Sequence, residues 1–181
     1  LGILLDAFCL LKENENFKNW KLLVMGGKTA QDDAFLSMAK ERLRKKNCEK
    51  DVEFLPEFHE AARKEFYSRI SVLSVPNPEG EAFGLFLLEA QASGIPVVEP
   101  DLGSYPEILQ KTQGGILYSP NGPKNLSETL AKLLLSPELR KELSIKARRG
   151  IQDFFCIERM AKEIMAHLNG LSLRKKIATE T

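Results

Sequence analysis

Two glutamates, Glu81 and Glu89, flank a Phe-Gly-Leu step in the sequence PNPEGEAFGLFLLEAQASGIPVV. This sequence predicts a strand that ends at Pro76, then a polar loop, then a helix that begins near Phe83. A helix start presents backbone N–H groups that have no partner within the helix, and its dipole attracts negative charge. The sequence therefore predicts an anion site at Gly84, with a carboxylate on each side of it.

The spacing of the two acids suits a nucleotide-linked sugar. Glu89 lies beyond Gly84 by about 7.5 Å along the helix axis, at about 1.5 Å per residue, and a ribose attached to a pyrophosphate needs a similar separation. Glu81 lies on the other side of the helix start, where a group beyond the pyrophosphate would be. We expect Glu89 to accept hydrogen bonds from ribose hydroxyls and Glu81 from the sugar. The helix dipole alone is an alternative reason for an acid at Glu81.

Composition excludes several classes of partner. The 181 residues carry 26 basic and 25 acidic side chains, a net charge of +1, which gives no electrostatic reason to expect nucleic acid or an anionic membrane. The cysteines Cys9, Cys48 and Cys156 are widely spaced, which predicts reduced thiols in the cytoplasm. His59 and His167 are too few for a histidine-rich metal site, and no apolar run approaches the ~18 residues of a membrane span. We expect a small-molecule partner.

Short apolar strands alternate with amphipathic helices before a helical last third. This alternation predicts an α/β fold, a parallel sheet with helices on both faces, which binds ligands at the carboxyl ends of its strands. The sequence also predicts helix starts at a capping box over Asn125–Glu128 and at Ser136. The expected elements are a helix from Leu1, strand KLLVMGG, helix Ala34–Lys46, strand DVEFLP, helix Glu60–Tyr67, strand Ser71–Val75, helix Phe83–Ser93, strand IPVVEP and edge strand GGILYS.

The sequence MGGKT offers a second loop at the end of a strand. It is not a phosphate-binding P-loop, because Leu22 stands where that motif requires a glycine. We expect Gly26 and Gly27 to allow close approach of a ligand, and a tight turn between strand and helix explains them equally well. Lys28 is expected to be a solvated loop lysine.

The seven residues between Glu81 and Glu89 in EAFGLFLLE resemble the E-x7-E motif of the retaining glycosyltransferases of family four, whose usual context is close to EGFGLxLLEAMAxGxPVV. The resemblance covers nearly the whole chain. KLLVMGG is similar to the family's strand and glycine turn, DVEFLPEF to its base-proximal segment, and GGILYSPNGPKNLSETLAKLLLSPELRKELSIKAR to its helical tail. It implies a Rossmann-like domain that is the C-terminal, donor-binding half of a two-domain GT-B architecture.

The resemblance further implies an activity and a set of contacts. The intact enzyme would transfer a sugar from a nucleotide-sugar to a glycan, lipid or other acceptor with retention of configuration, and it would need no metal or other cofactor. Glu81 would be the catalytic residue, in contact with the sugar near the reacting carbon, and Glu89 would bind the ribose. The other implied donor contacts are Phe83, Gly84 and Leu85 at the diphosphate and sugar, with Phe54 and Leu55 near the base.

The start of the chain departs from the family pattern. The family places a diphosphate-binding Arg and Lys just before its first helix, with the Lys before the glycine that matches Gly2, but this chain has Leu1 there. We therefore expect a fragment that lacks the N-terminal acceptor-binding domain, with a domain over residues 1–170 and a tail over 171–181. Alone it should bind donor weakly and transfer nothing, and any peripheral membrane association is expected only through the missing domain.

The sequence alone also permits two other functions. A different GT-B enzyme, such as a sugar phosphorylase or a nucleotide-sugar epimerase, would use the same site for other chemistry. A noncatalytic nucleotide-binding module would retain nucleotide affinity without turnover.

Overall fold

Helices and strands alternate along the chain in the computed structural model, which describes residues 1–27, 29–56 and 58–179, with side chains up to residue 169. The helical last third agrees with the sequence prediction. The elements are α1 (Gly2–Lys12), β1 (Leu22–Met25), α2 (Asp32–Lys45), β2 (Val52–Leu55), α3 (Glu60–Arg69), α4 (Leu85–Ala92), β3 (Val97–Pro100), α5 (Tyr105–Thr112), β4 (Gly115–Tyr118), α6 (Pro123–Leu134), α7 (Pro137–Phe154) and α8 (Ile157–Thr179).

The strands are parallel, as the sequence predicts. β1 pairs with β2, with Leu22 opposite Val52, and β3 pairs with β4, with Val97 opposite Gly115. The segment that precedes the predicted site makes one isolated parallel bridge, which joins Leu73 to Val97 of β3. The carboxyl ends of β1 and β2 therefore lie at one edge of their pair, and those of β3, β4 and the bridged segment at Leu73 lie at one edge of theirs.

The predicted strand Ser71–Val75 is wrong as a regular strand, and the reason lies in its hydrogen bonds. Leu73 makes normal parallel bonds, because its N–H reaches the Pro96 carbonyl at 3.1 Å and its carbonyl accepts the Val98 N–H at 2.9 Å. The N–H of Val75 instead meets the carboxyl oxygens of Glu99, each at 3.0 Å. The following residue is a proline, which has no N–H, so the ladder stops after one bridge.

Buried side chains fill the space on both faces of the strands. β3 is buried along its whole length, which is typical of a central parallel strand that is covered on both sides. One cluster packs α1 and α6 against β3 and β4, through residues such as Leu126 and Val98. A second cluster joins both strand pairs, because it includes Val97 of β3 and Tyr105, and Leu55 of β2 packs against it. A third packs α1 and α2 against β1 and β2.

Two predicted helix starts differ from the structure. α4 begins at Leu85 rather than Phe83, because Gly84 precedes it with a φ of +81°, in the left-handed region. α6 begins at Pro123, so the predicted capping box Asn125–Glu128 is wrong. Proline is favoured at the first position of a helix, where its missing N–H costs nothing. The side-chain amide of Asn125 instead donates to the Pro120 carbonyl at 3.1 Å.

The predicted start at Ser136 is confirmed. Its hydroxyl accepts the Leu139 N–H at 3.2 Å, and Pro137 is the first residue of α7. The last helix, α8, runs through residue 170, and the boundary between a domain at 1–170 and a tail at 171–181 stays a prediction. Within the described residues, we find no helix with the length and apolarity that a membrane span requires.

Gln91, on α4, is fully buried where α4 packs against α7, and neither polar atom of its side chain has a hydrogen-bond partner. Burial of an unpaired amide costs about 1–3 kcal/mol, and methionine has nearly the same volume. We predict that Gln91→Met raises the free energy of unfolding by about 1–3 kcal/mol, measured by urea denaturation. The exposed control Gln110→Met should change it little. An unchanged or lower stability for Gln91→Met would contradict the unpaired state of the amide.

Candidate functional site

The loop over residues 76–84 leads from the bridged segment to α4 and carries Glu81. It is tightened by backbone bonds, because Asn77 donates to the Val75 carbonyl at 2.8 Å and Gly80 donates to the Asn77 carbonyl at 3.2 Å. The N–H of Glu79 also meets the side-chain oxygen of Asn77 at 3.2 Å. Glu81 is half-buried at the carboxyl end of the parallel segments. This is the position that the sequence predicts for it.

The start of α4 leaves backbone N–H groups available to a ligand. Gly84 is buried, and its carbonyl accepts the Leu87 N–H at 2.9 Å, whereas the N–H groups of Leu85 and Phe86 have no carbonyl within the helix to bind. An added Cβ at Gly84 would lie 3.5 Å from Cγ of Glu81. The acid therefore lies against the glycine at the helix start.

Two of the predicted contacts present large apolar side chains there. Phe83 is 54% exposed and Leu85 is 64% exposed. The structure thus brings Phe83, Gly84 and Leu85 together at one helix start, next to Glu81. Their contacts with a donor stay a prediction.

A second loop, over residues 101–104, contacts the loop over residues 76–84 and holds its backbone by hydrogen bonds. The N–H of Ser104 donates to the Glu81 carbonyl at 2.9 Å, and its hydroxyl donates to the Phe83 carbonyl at 3.0 Å. An added Cβ at Gly103 would lie 2.6 Å from both the nitrogen and the oxygen of the Glu81 backbone. Gly103 and Ser104 were not predicted as supports of the site. The available signal was a glycine in the short loop after the buried strand β3.

Glu89 is oriented by side chains of α3. The hydroxyl of Tyr67 donates to Oε2 of Glu89 at 3.0 Å, and Nε of Arg63 lies 3.9 Å from the same oxygen. Burial, and next the hydrogen bond to Glu89, raise the pKa of Tyr67, so the phenol stays a donor. Arg63 also lies over the Phe58 ring, 5.5 Å from its centre. The roles of Tyr67 and Arg63 at Glu89 were not predicted from the sequence. The available signal was their spacing of four residues, which places them on one face of α3.

The remaining predicted contacts lie at the ends of β1 and β2. Gly26 and Gly27 are exposed, and an added Cβ at either would meet nothing within 4 Å. Phe54 packs toward α1 and α2, under Lys40 at 5.5 Å, while Leu55 packs toward α4 and α5. Both side chains are half-buried in the core. Any contact of this segment with a base stays a prediction, and Lys28 lies outside the described residues.

The described part of the chain contains no cluster of side chains that could form a metal centre. His59 begins α3, where its Nδ1 accepts the Ala62 N–H at 3.2 Å, as expected for a helix cap. Among the described residues, histidine, cysteine, aspartate and glutamate form no group of three or more that could hold a metal ion. The metal-free site remains an expectation.

Comparison with known proteins identifies the family. The profile of the family described as glycosyl transferases group 1 matches residues 1–150. The chain belongs to this family. It is 27% identical over 152 residues to the D-inositol 3-phosphate glycosyltransferase of Jonesia denitrificans, with 84% of the chain and 36% of the relative covered. It is 30% identical over 152 residues to the lipopolysaccharide core biosynthesis mannosyltransferase LpcC of Rhizobium leguminosarum, with 84% and 42% covered.

Solved structures agree with the fold. Anabaena Alr3699/HepE in complex with UDP superposes with a TM-score of 0.81 at 18% identity, covering 93% of this chain and 44% of that chain. The C-terminal domain of the group 1 family protein LpcC from Francisella tularensis gives a TM-score of 0.77 at 20% identity, covering 86% and 79%. These likenesses confirm the Rossmann-like α/β half of a GT-B architecture. The chain spans less than half the length of the two curated relatives named above.

The contact between Gly103 and Glu81 leads to a prediction. Gly103 has a φ of +57° and no room for a Cβ beside the Glu81 backbone, so Gly103→Ala should lower the free energy of unfolding by about 1–3 kcal/mol. Urea denaturation measures this loss. The control is Gly2→Ala in the first turn of α1, where nothing lies within 4 Å of an added Cβ and the backbone is helical. Equal stability of the two variants would contradict the close contact of the loops.

Proposed function

We propose that the chain is the donor-binding half of a glycosyltransferase that moves a sugar from a nucleotide-sugar to an acceptor with retention of configuration. One observation carries this proposal: Glu81 and Glu89 flank the start of α4, whose first N–H groups have no carbonyl within the helix to bind. A diphosphate fits the helix start, and hydroxyl-bearing groups fit the acids on either side. An acceptor-binding N-terminal domain and a cytoplasmic location belong to the same proposal.

The names of the related proteins support this choice of substrate. They include an inositol phosphate glycosyltransferase and a mannosyltransferase, and one related structure was solved in complex with UDP and glucose. A nucleoside diphosphate that carries a hexose is therefore the proposed class of donor. The chain covers less than half of the two curated relatives. The rest of the intact protein is therefore the part proposed to bind the acceptor.

The site supplies electrostatic stabilisation where the reaction creates negative charge. When the bond between the sugar and the diphosphate breaks, the leaving diphosphate gains charge. The N–H groups of Leu85 and Phe86, with the positive end of the α4 dipole, would stabilise that charge without a metal ion. Gly84 has no side chain that would keep a phosphate from the N–H groups of Leu85 and Phe86.

The two acids have separate roles in this scheme. Glu89, held by the Tyr67 hydroxyl at 3.0 Å, would accept hydrogen bonds from ribose hydroxyls and set the position of the nucleoside. Glu81 would accept hydrogen bonds from the sugar, near the reacting carbon. A ribose contact acts on every nucleotide, whereas a sugar contact acts only on the complete donor.

This division of roles gives a prediction for calorimetry on the intact protein. Glu89→Ala should lose charge-assisted bonds worth roughly 1.5–3 kcal/mol, which is about 10- to 150-fold in affinity, for both UDP and UDP-glucose. Glu81→Ala should leave UDP affinity nearly unchanged but reduce the extra affinity for UDP-glucose and the rate of transfer. Glu79→Ala, an exposed acid in the same loop, is the matched control. Titration with GDP, ADP and their sugar derivatives extends the test to other bases.

Equal losses for Glu81→Ala and Glu89→Ala on both ligands, with the fold intact by circular dichroism, would overturn the division of roles. The products distinguish the alternative functions. Phosphorolysis or epimerisation of the sugar would assign another GT-B enzyme, and nucleotide affinity without turnover would assign a noncatalytic module.

A further inference from the structure

Glu99 is a carboxyl group in the most buried strand of the fold. Its side chain lies on β3 and is 0% exposed, although burial of an acid is costly unless it is neutral or well paired. Both carboxyl oxygens lie 3.0 Å from the Val75 nitrogen. The acid therefore contacts the backbone at the point where the loop over residues 76–84 begins.

Side chains replace the sheet ladder at Val75. Its N–H meets Glu99, and its carbonyl accepts the Tyr105 hydroxyl at 3.0 Å. One step earlier, Leu73 still makes ordinary ladder bonds with the backbone at Pro96 and Val98. The regular pairing thus ends at Leu73, and the path of the chain after it depends on two side chains.

We propose that Glu99 is a positioning residue that holds Val75 through its N–H and thereby fixes the origin of the loop that carries Glu81. The effect on the donor sugar rests on the proposed function. The hold on Val75 does not, because it is a property of the free protein. Glu99 is expected to have no direct contact with a substrate, because it is buried beneath the loop.

The surroundings of Glu99 favour its neutral form. The titratable groups that face it are Tyr105 from α5 and Tyr118 from β4, and both are uncharged phenols whose pKa is raised by burial. The charge of Glu81 also raises the pKa of Tyr105. Among the described residues, no lysine, arginine or histidine makes a hydrogen bond or an ion pair with Glu99. Burial raises the pKa of Glu99 well above its usual range, against the smaller opposite effect of the Val75 N–H.

The raised pKa of Glu99 makes the stability of the fold dependent on pH. The folded chain keeps the proton over a pH range in which the unfolded chain has released it, so stability falls as pH rises from the ordinary carboxyl pKa toward the raised one. Glu99→Gln keeps a carbonyl oxygen for the Val75 N–H and cannot ionise. Its stability relative to the wild type should therefore increase with pH.

Amide hydrogen exchange measured by NMR on the free 181-residue chain tests the hold directly. Glu99→Gln should keep the wild-type protection factor at Val75, because its side-chain carbonyl oxygen can still accept the Val75 N–H. Glu99→Met, of similar size but without an acceptor, should lower protection at Val75 by about tenfold. The amides of Leu73 and Val98, whose bonds go to backbone carbonyls, serve as internal controls and should not change.

Three results would overturn the proposal. Protection at Val75 could be the same in Glu99→Met and the wild type, or it could fall equally at Leu73 and Val98, which would indicate a general structural role. If Glu99→Met does not fold, protection at Val75 in Glu99→Gln decides. A protection factor well below that of the wild type, in a variant that keeps the acceptor oxygen, would also overturn the proposal.

Calorimetry on the intact protein separates this inference from the proposed function. Glu99→Met should reduce the extra affinity for UDP-glucose over UDP and leave UDP affinity itself unchanged, and Glu99→Gln should restore the wild-type values. If the wild type binds neither ligand, the proposed function is overturned, while the exchange at Val75 still decides whether Glu99 holds the loop.

Discussion

The contact between the backbones of two loops sets the geometry of the whole site. Gly103 leaves no room for a Cβ beside Glu81, and Ser104 donates to the carbonyls of Glu81 and Phe83. These bonds fix the residues just before Gly84, and hence the direction in which α4 leaves the loop. The position of Glu89, about one turn after the first residue of α4 at about 3.6 residues per turn, follows from that direction.

The two acids are held in different ways, and this difference matters for binding. Glu81 is fixed through its backbone, so its carboxylate remains available to a ligand. Glu89 is held through its carboxylate, by Tyr67 and near Arg63. A ribose at Glu89 would therefore use the second oxygen, or would displace a bond that already orients the acid. The preorganised carboxylate lowers the entropy cost of binding the nucleoside.

Local signals in the sequence were enough for part of this arrangement. The alternation of apolar runs predicts parallel strands, and the spacing of Glu81 and Glu89 predicts acids on either side of a helix start. The Ser136 cap depends on a residue three positions away, which local sequence can show. The capping box at Asn125 was wrong because a competing local signal, Pro123 at the first helical position, begins the helix earlier.

Contacts between distant residues could not be predicted. Tyr67 reaches Glu89 only because α3 packs beside α4, and Ser104 reaches Glu81 only because two loops meet. The lost strand over residues 71–75 has the same cause. Its apolar pattern favours a strand, but the N–H of Val75 is taken by Glu99, a buried side chain on another strand. The apolar pattern and residue propensities of this segment favour a strand, but its tertiary hydrogen bonds prevent a regular one.

The most direct test of the central claim is an NMR titration of the free chain with UDP, followed by GDP and ADP. If the start of α4 binds a diphosphate, the amides of Gly84, Leu85 and Phe86 should show the largest saturable shifts, and Glu89→Ala should weaken the binding. Shifts confined to other regions, such as the loop after β1 at Gly26 and Gly27, would contradict the account. The absence of saturable shifts at millimolar concentrations of all three nucleotides would contradict it as well.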